Sequence, residues 1–325
     1  MIDSWPLLGI TCAGAILWAL HLVEKNKKGL YTLLYHRLHP DDVTQSGSEA
    51  LFSVSEKRFM EQIDGLIATG YHFIDPNEAI AMLEGDIPLR DKTVLLAFDD
   101  GCESIVTMAE PILSARNIKA MVFVTTDPNA FVFHLPSNPQ ARCSEEQLKQ
   151  LSQKGWGLGV HSATHLPPGV LKPDELSADF TESTEWLSKV LDTEVMDYAV
   201  PGNFQSPVLT RTAKQRGIRR VWSATPGVIT STSNPDSLPR LGVEGTMTGK
   251  QLINSLQPWG RLWRRGLSWT KRMPVRLIGP AKWIPIRRWL FHALSPFSLS
   301  HRFWAILFLG ITLLLAFIGI SMIDD

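Results

Sequence analysis

Thr93-Val94-Leu95-Leu96-Ala97-Phe98-Asp99-Asp100-Gly101 is the stretch that decides the fold. Its first six residues are apolar or β-branched and read as a strand buried on both faces. The strand ends on two carboxylates. Adjacent acids repel, and neither is buried cheaply without a partner. Two of them at the mouth of a hydrophobic strand point to work on a cation or a proton. Taken alone, Asp-Gly also suits a surface turn, so the rest of the chain must decide.

Outward from this strand, helix and strand patterns alternate. Leu30 to Tyr35 reads as a strand that runs into His36-Arg37. Ser55 to Ala68 reads as a helix stopped by Gly70, Tyr71 to Ile74 as a strand, and Pro76 to Leu83 as a helix. Ser104 to Arg116 has the helical pattern, with Pro111 as a kink within it. Lys119 to Val124, Gly157 to Val160, Asp197 to Val200 and Arg219 to Ala224 read as further strands. Helices are expected between them, one opened by the capping-box sequence Ser144-Glu145-Glu146-Gln147. The order βαβα implies a mostly parallel sheet, open or closed into a barrel.

A second motif, His161-Ser162-Ala163-Thr164-His165, also follows a strand end. A lone HxxxH pair is weak evidence of anything. In a parallel sheet, however, strand C-termini share one rim, where ligands bind. Tyr35-His36-Arg37 and Val200-Pro201-Gly202 end on the same rim. Two imidazoles and one carboxylate form a three-ligand set with room for water, as in catalytic zinc sites. One Asp can then be a ligand while its neighbour serves as a base.

These residues resemble the polysaccharide deacetylases of the NodB-like, carbohydrate esterase family 4 type. Ala97-Phe98-Asp99-Asp100-Gly101 is similar to their T-F-D-D-G, and His161 to His165 to their H-[ST]-x-x-H. The resemblance covers roughly residues 30 to 244 and implies a distorted (β/α) barrel. It implies that Asp99 is the catalytic base and that Asp100, His161 and His165 bind a divalent metal, with zinc the best match. Two departures stand out. Tyr198-Ala199-Val200-Pro201-Gly202 lacks the Arg that often steadies the base, and no late Leu-x-His supplies an acid. Leu34-Tyr35-His36-Arg37 is similar to the Y-H motif of branches whose acid lies N-terminal, so His36 is the candidate acid, with His39 the fallback. Leu238-Pro239-Arg240 is similar to a late L-P-R element, so Arg240 is the candidate replacement for the missing Arg. Cys102, beside the acids, receives no role.

The 325 residues carry no net formal charge, yet the charge is unevenly distributed. Residues 245–323 hold 11 Lys or Arg and no acid, leaving 21 basic and 30 acidic groups in residues 1–244. Six of the 11 tryptophans lie between Trp259 and Trp304. Mixed Trp and Arg fit a bilayer interface. Nucleic acid is the other partner such a stretch could take, and the apolar run beyond it favours the bilayer. Pro6 to Val23 and Phe303 to Ile323 are uncharged runs long enough to span a membrane. Three scattered cysteines form no CxxC pattern and no disulfide framework.

The expected layout is therefore a membrane helix (1–29), a deacetylase domain (30–244), a basic Trp/Arg interface segment (245–302) and a C-terminal transmembrane helix (303–325). Basic residues flank both spans on the domain side, which places the domain in the cytoplasm of an inner-membrane protein. The expected function is hydrolysis of the acetamide of an N-acetylated sugar, in a polysaccharide or a lipid-linked glycan. Two other classes are consistent with parts of the pattern. One is a membrane-bound sugar-binding or assembly protein with a decayed site. The other is a two-His-one-carboxylate iron oxygenase, which the βα order and the paired aspartates disfavour.

Overall fold

The computed structural model describes residues 18–45, 49–134, 139–293, 303, 306, 307 and 309–311. Eight strands form one sheet: β1 (Leu30–Tyr35), β4 (His72–Phe73), β5 (Thr93–Phe98), β6 (Ala120–Val124), β7 (Gly157–Val160), β8 (Asp197–Ala199), β9 (Arg220–Trp222) and β10 (Leu241–Gly242). Two short strands, β2 (Arg37–His39) and β3 (Ser53–Ser55), pair separately. The main order is β10-β1-β5-β6-β7-β8-β9, with β4 beside the start of β5. All these pairings are parallel. Leu238 bridges to Trp222 of β9, and Leu241 pairs with Leu33 of β1. The stretch 238–242 thus joins the two sheet edges, giving a distorted barrel.

Alternation along β5 explains why it reads as a continuous apolar run. Leu95 and Ala97 point inward with Met121, Phe123, Ala199 and Trp222. Val94, Leu96 and Phe98 point outward beneath Phe59, Ile63 and Leu66 of the helix Glu56–Ala68. Both faces are covered, so neither needs polar residues. Burying each such side chain contributes about 1.5–3 kcal/mol. The helix itself starts where the sequence predicts, because the Ser55 hydroxyl accepts from the Arg58 N–H.

The expected single helix over Ser104 to Arg116 is instead a π-turn, Ile105–Ala109, followed by an α-helix, Glu110–Ser114. Pro111 then falls in the first turn of that helix. The preceding π-turn, closed by the Glu110 N–H donating to the Ile105 carbonyl, shifts the register just before the proline.

Inside the wall, Asp197 accepts two hydrogen bonds from Arg220 (both 2.8 Å) and one from Trp222 Nε1 (2.7 Å). Asp197 and Arg220 are both buried, and Arg220 also reaches Glu84 at 3.0 Å. Removing one member of a buried pair strands the other charge. We expect Asp197→Ala to lower unfolding free energy by about 3 kcal/mol, measured by urea denaturation. A loss below about 1 kcal/mol would mean that Glu84 alone satisfies Arg220, as for a surface pair.

The expected flanking transmembrane helices, and with them the inner-membrane location with a cytoplasmic domain, are corrected. Among the described residues no helix is long and apolar enough to cross a membrane. Residues 18–25 are helical, and Glu24 among them is buried. Glu24 accepts from Arg261 at 3.1 Å and from Arg265 at 2.6 Å, and His21 stacks between Trp18 and Trp259. Leu307 and Ile311 pack against the cluster of Leu51 and Trp283. Within the described parts of these runs His21, Leu307 and Ile311 meet protein, Trp18, Leu20, Leu22, Val23 and Ile306 are exposed, and the remainder of each run lies outside the described residues. The longest helix, Pro258–Ala293, is rich in charge and breaks at Gly279 (φ +77°). Part of its basic character is internal pairing: Arg261 also donates to the Tyr31 hydroxyl at 3.0 Å.

Candidate active site

The barrel brings the strand ends together on one rim. His36 follows β1, Asp99 and Asp100 follow β5, His161 follows β7, and Arg240 precedes β10. Asp99 and Asp100 are buried, as are His161 and Arg240. The backbone turns sharply to aim them. Asp100 (φ +73°), Ser162 (φ +68°) and His165 (φ +59°) all occupy the left-handed region. Each such residue costs of order 1–3 kcal/mol, which packing elsewhere must offset. Gly101 (φ +78°) follows, and a Cβ there would lie 3.0 Å from a Val124 methyl. Glycine is therefore required for the chain to leave the Asp-Asp pair beneath β6.

One ligand atom from each of Asp100, His161 and His165 lies within 4.8 Å of the others. His165 Nε2 is 3.3 Å from Asp100 Oδ1, and His161 Nε2 is 3.8 Å from the same oxygen. His161 Nδ1 pairs with the Ala199 carbonyl at 2.9 Å, so Nε2 faces the carboxylates. That is how ligating imidazoles are usually oriented. Asp100 Oδ1 and His165 Nδ1 are buried and take part in no hydrogen bond. Buried polar atoms seldom stay so. A hard or borderline divalent cation would satisfy the oxygen and complete the donor set, so the residues fit a metal.

Asp99 lies beside that trio, its Oδ2 3.7 Å from His161 Nε2. Arg240 grips it with two hydrogen bonds, Nη1 to Oδ1 at 2.6 Å and Nη2 to Oδ2 at 2.9 Å. Arg240 is fully buried, lies over the Phe123 ring at 5.1 Å, and donates from Nε to the Ser223 carbonyl. Burial pushes the Asp99 carboxyl up, and Arg240 with His161 more than reverses this, leaving it below the usual carboxylate range. For Asp100, too, burial is outweighed, by His165, His36 and Arg37, and its carboxyl falls far below the usual range. Burial lowers His161 to about 4. Both acids are ionised and His161 is neutral, the protonation states that ligation requires.

His36 lines the same cavity, edge-on to Phe52 with ring centroids 4.9 Å apart. Its Nδ1 is buried with no partner, and burial lowers its pKa. His39, the fallback acid, pairs with the Pro40 carbonyl at 2.8 Å and is not among the cavity-lining residues. Cys102 packs with Ala130, Val132 and Phe133, and burial pushes its thiol well up. It is a packing residue.

Three residues of the site carry no signal that the sequence reading used. Arg37 Nη2 reaches Asp100 Oδ2 at 3.5 Å, and Arg37 Nη1 lies 3.6 Å from the buried Glu49. Asp179 accepts from the Ala163 and Thr164 N–H groups (3.1 Å each) and the Thr164 hydroxyl (2.9 Å). It holds the loop between the two histidines. A readable hint existed: Asp179 sits among Leu176, Phe180, Leu187 and Val190 on the buried face of the helix Pro173–Leu191. A carboxylate in that stripe needs donors from another element. Glu49 has no such pattern around it.

Residues 86–221 match the family model described as polysaccharide deacetylase. Over 228 residues the chain is 27% identical to YxkH of Bacillus subtilis (strain 168), a protein named as a polysaccharide deacetylase. That alignment covers 70% of this chain and 75% of YxkH. Among solved structures, IcaB from Ammonifex degensii superposes with a TM-score of 0.58 at 25% identity, over 74% of this chain and 98% of IcaB. The Streptococcus pyogenes deacetylase PplD, in complex with acetate, superposes with a TM-score of 0.59 at 23% identity, over 71% of this chain and 99% of PplD.

Proposed function

We propose that the chain is a metal-dependent carbohydrate N-deacetylase of the polysaccharide deacetylase family, whose model matches residues 86–221. The observation that carries this reading is Asp99, ionised and clamped by Arg240, beside the Asp100, His161 and His165 cluster. The reaction adds water to the acetamide carbonyl, breaks the C–N bond, and releases acetate and the free amine.

Asp100, His161 and His165 would hold the divalent ion, with zinc the best match to the donor set. When bound, it supplies Lewis acidity, polarising the carbonyl and acidifying water. Asp99 accepts the proton from the attacking water. Arg240 keeps that carboxylate oriented and unprotonated. His36, on the neighbouring strand end, donates a proton to the departing nitrogen. The catalytic unit is residues 30–244, and the following helices form one wall of its cavity. The reading of a decayed, sugar-binding site rested on the missing Arg and the missing late His. Arg240 lies where the first is needed and His36 where the second could act. An oxygenase has no use for a clamped second aspartate.

The test is amine release from an oligomer of N-acetylglucosamine, before and after chelation. Activity should vanish on chelation and return with added zinc or another divalent ion. Activity that survives complete removal of metal would refute the metal-dependent mechanism. We expect His36→Ala to lower turnover by roughly two to four decades, the usual contribution of an acid or base. Turnover within about threefold of the wild type would move the acid elsewhere.

A further inference from the structure

The cavity that holds the acids extends well beyond them. It measures about 1170 Å³. Sites for small molecules commonly span about 300–1,000 Å³. Part of the excess runs along the first limb of the helix Pro258–Ala293, whose lining residues continue from Trp259 to Arg272. At about 1.5 Å per residue that stretch is about 20 Å long, more than one sugar ring can occupy. It lies outside residues 86–221, the part that matches the family model.

Trp259 and Trp263 open this stretch. They stand one helical turn apart, on the same face. Both line the cavity, and they are 47% and 57% exposed. Their backbone is held firmly. Between them Arg261 is buried, donating to Glu24 at 3.1 Å and to the Tyr31 hydroxyl at 3.0 Å. A Cβ at Gly260 would run into the Asn254 carbonyl, so glycine lets the limb seat directly on the end of the helix Gly249–Leu256. His21 stacks on the Trp259 ring with centroids 4.4 Å apart, which braces one face and leaves the exposed area to the rest of the ring. A rigid element thus presents two open indoles to the cavity.

What the wall can take follows from the groups around the rings. The nearby cations are already engaged. Arg264 lies 3.6 Å from Glu244, Arg272 donates to the Thr225 hydroxyl at 2.8 Å, and Lys271 and Arg287 each have a partner within the protein. None of these four requires an anion from a ligand. Amides and a hydroxyl are interleaved with the indoles: Asn254, Gln257 and Ser268 line the cavity, and the two amides are exposed. A purely apolar chain laid along this wall would dehydrate those groups and return no hydrogen bond. A pyranose ring supplies both kinds of contact. Its C–H face covers an indole, and the hydroxyls at its edge pair with amides.

We propose that Trp259 and Trp263 form a stacking platform for the sugar rings next to the one being deacetylated, so that the substrate is a neutral glycan chain of several units. The acetamide-bearing ring sits at the Asp99 and Asp100 end. Its neighbours lie on the indoles, with their hydroxyls toward Asn254 and Gln257. This inference rests on the deacetylase reading above and narrows its substrate class to chains.

The test is a length series on the full chain loaded with zinc: N-acetylglucosamine, its dimer and its tetramer. A stacked ring contributes about two- to tenfold. The tetramer should therefore exceed the monomer in kcat/KM by about tenfold or more, and Trp259→Ala combined with Trp263→Ala should lower that ratio about tenfold. Trp263→Phe should keep most of the ratio, and Trp263→Leu should lose as much as Trp263→Ala, because a sugar face needs a flat ring and not merely an apolar one. Each ratio is taken within one preparation, so partial misfolding cancels. Binding is read separately by calorimetry on zinc-loaded His36→Ala, whose slow turnover leaves the tetramer intact. Adding the two alanine substitutions should weaken that binding about tenfold.

A wild-type ratio near one, or a ratio that the double alanine variant leaves unchanged, overturns the proposal while the deacetylase reading stands. Trp263→Leu that matches the wild type overturns it too, since the ring would then serve only as apolar surface. So does sedimentation with phosphatidylglycerol vesicles that needs both tryptophans while the ratio does not, which assigns the rings to a membrane surface. Release of acetate from none of the three, with metal bound, refutes the deacetylase reading. Tryptophan-dependent binding of the tetramer would then still support the platform, and its absence would overturn both.

Discussion

Asp99→Asn stops turnover, by roughly two to four decades or more, and leaves the metal in place. Asp99 is not among the three residues that could hold a metal ion, so on the proposed roles its replacement removes a proton acceptor and keeps the donor set. The same change has a second consequence. Arg240 has no exposed surface, and both of its terminal nitrogens donate to Asp99. An asparagine accepts one of those bonds and returns no charge. The guanidinium is then buried without its counter-ion, which costs about 3–5 kcal/mol. The single variant should therefore be inactive and less stable. The double variant Asp99→Asn with Arg240→Met should recover most of that stability and remain inactive. Urea denaturation and metal analysis on the three proteins separate the two effects. If Asp99→Asn retains more than about a tenth of wild-type turnover, below the usual range for a lost acid or base, another group is the base.

The second large effect concerns the metal. We expect His161→Ala to take metal content from about one ion per chain to a small fraction of that, because three-ligand sites tolerate such a loss poorly. His36→Ala, which leaves the cluster of Asp100, His161 and His165 intact, should keep its metal and serves as the control. Binding to the native state alone also raises stability, by about 2.7 kcal/mol at a hundredfold excess over Kd. Added zinc should thus raise the Tm of wild type and of His36→Ala, and not that of His161→Ala. Equal metal content in wild type and His161→Ala would remove His161 from the ligand set.

Much of the scaffold was legible because local patterns and tertiary demands agree. β5 and β1 start and stop where their apolar runs do. Ser55 and Ser144 cap the helices they were expected to cap, since a cap is a local hydrogen bond. The Asp-Asp and HxxxH motifs were legible as a site once both were placed on strand ends, because parallel strands share a rim. The segment Ser104 to Arg116 is helical as read, but its apolar spacing does not distinguish an α-turn from the π-turn that precedes Pro111.

The apolar runs at the two ends show the opposite limit. Their composition met the length rule for a span. What a hydrophobic face packs against is decided by the rest of the molecule. The ion pairs of buried Glu24 with Arg261 and Arg265 join residues more than 200 positions apart in sequence, and Leu307 and Ile311 pack against the cluster of Leu51 and Trp283.

The sequence by itself determined the order of the strands, the residue types of the two motifs and their resemblance to the polysaccharide deacetylases. Each of these rests on neighbours in the chain or on short spacings. A short late motif had singled out Arg240, and tertiary structure decided the geometry of its two hydrogen bonds to Asp99 across 141 positions; tertiary structure alone decided that Asp179 braces the histidine loop and that Arg37 and Glu49 stand behind Asp100. It also decided that a helix beyond the barrel walls the cavity with tryptophan and cations. Such contacts are fixed by barrel closure, in which the stretch 238–242 joins β9 to β1. No local periodicity encodes which distant side chain that closure brings to a given rim position.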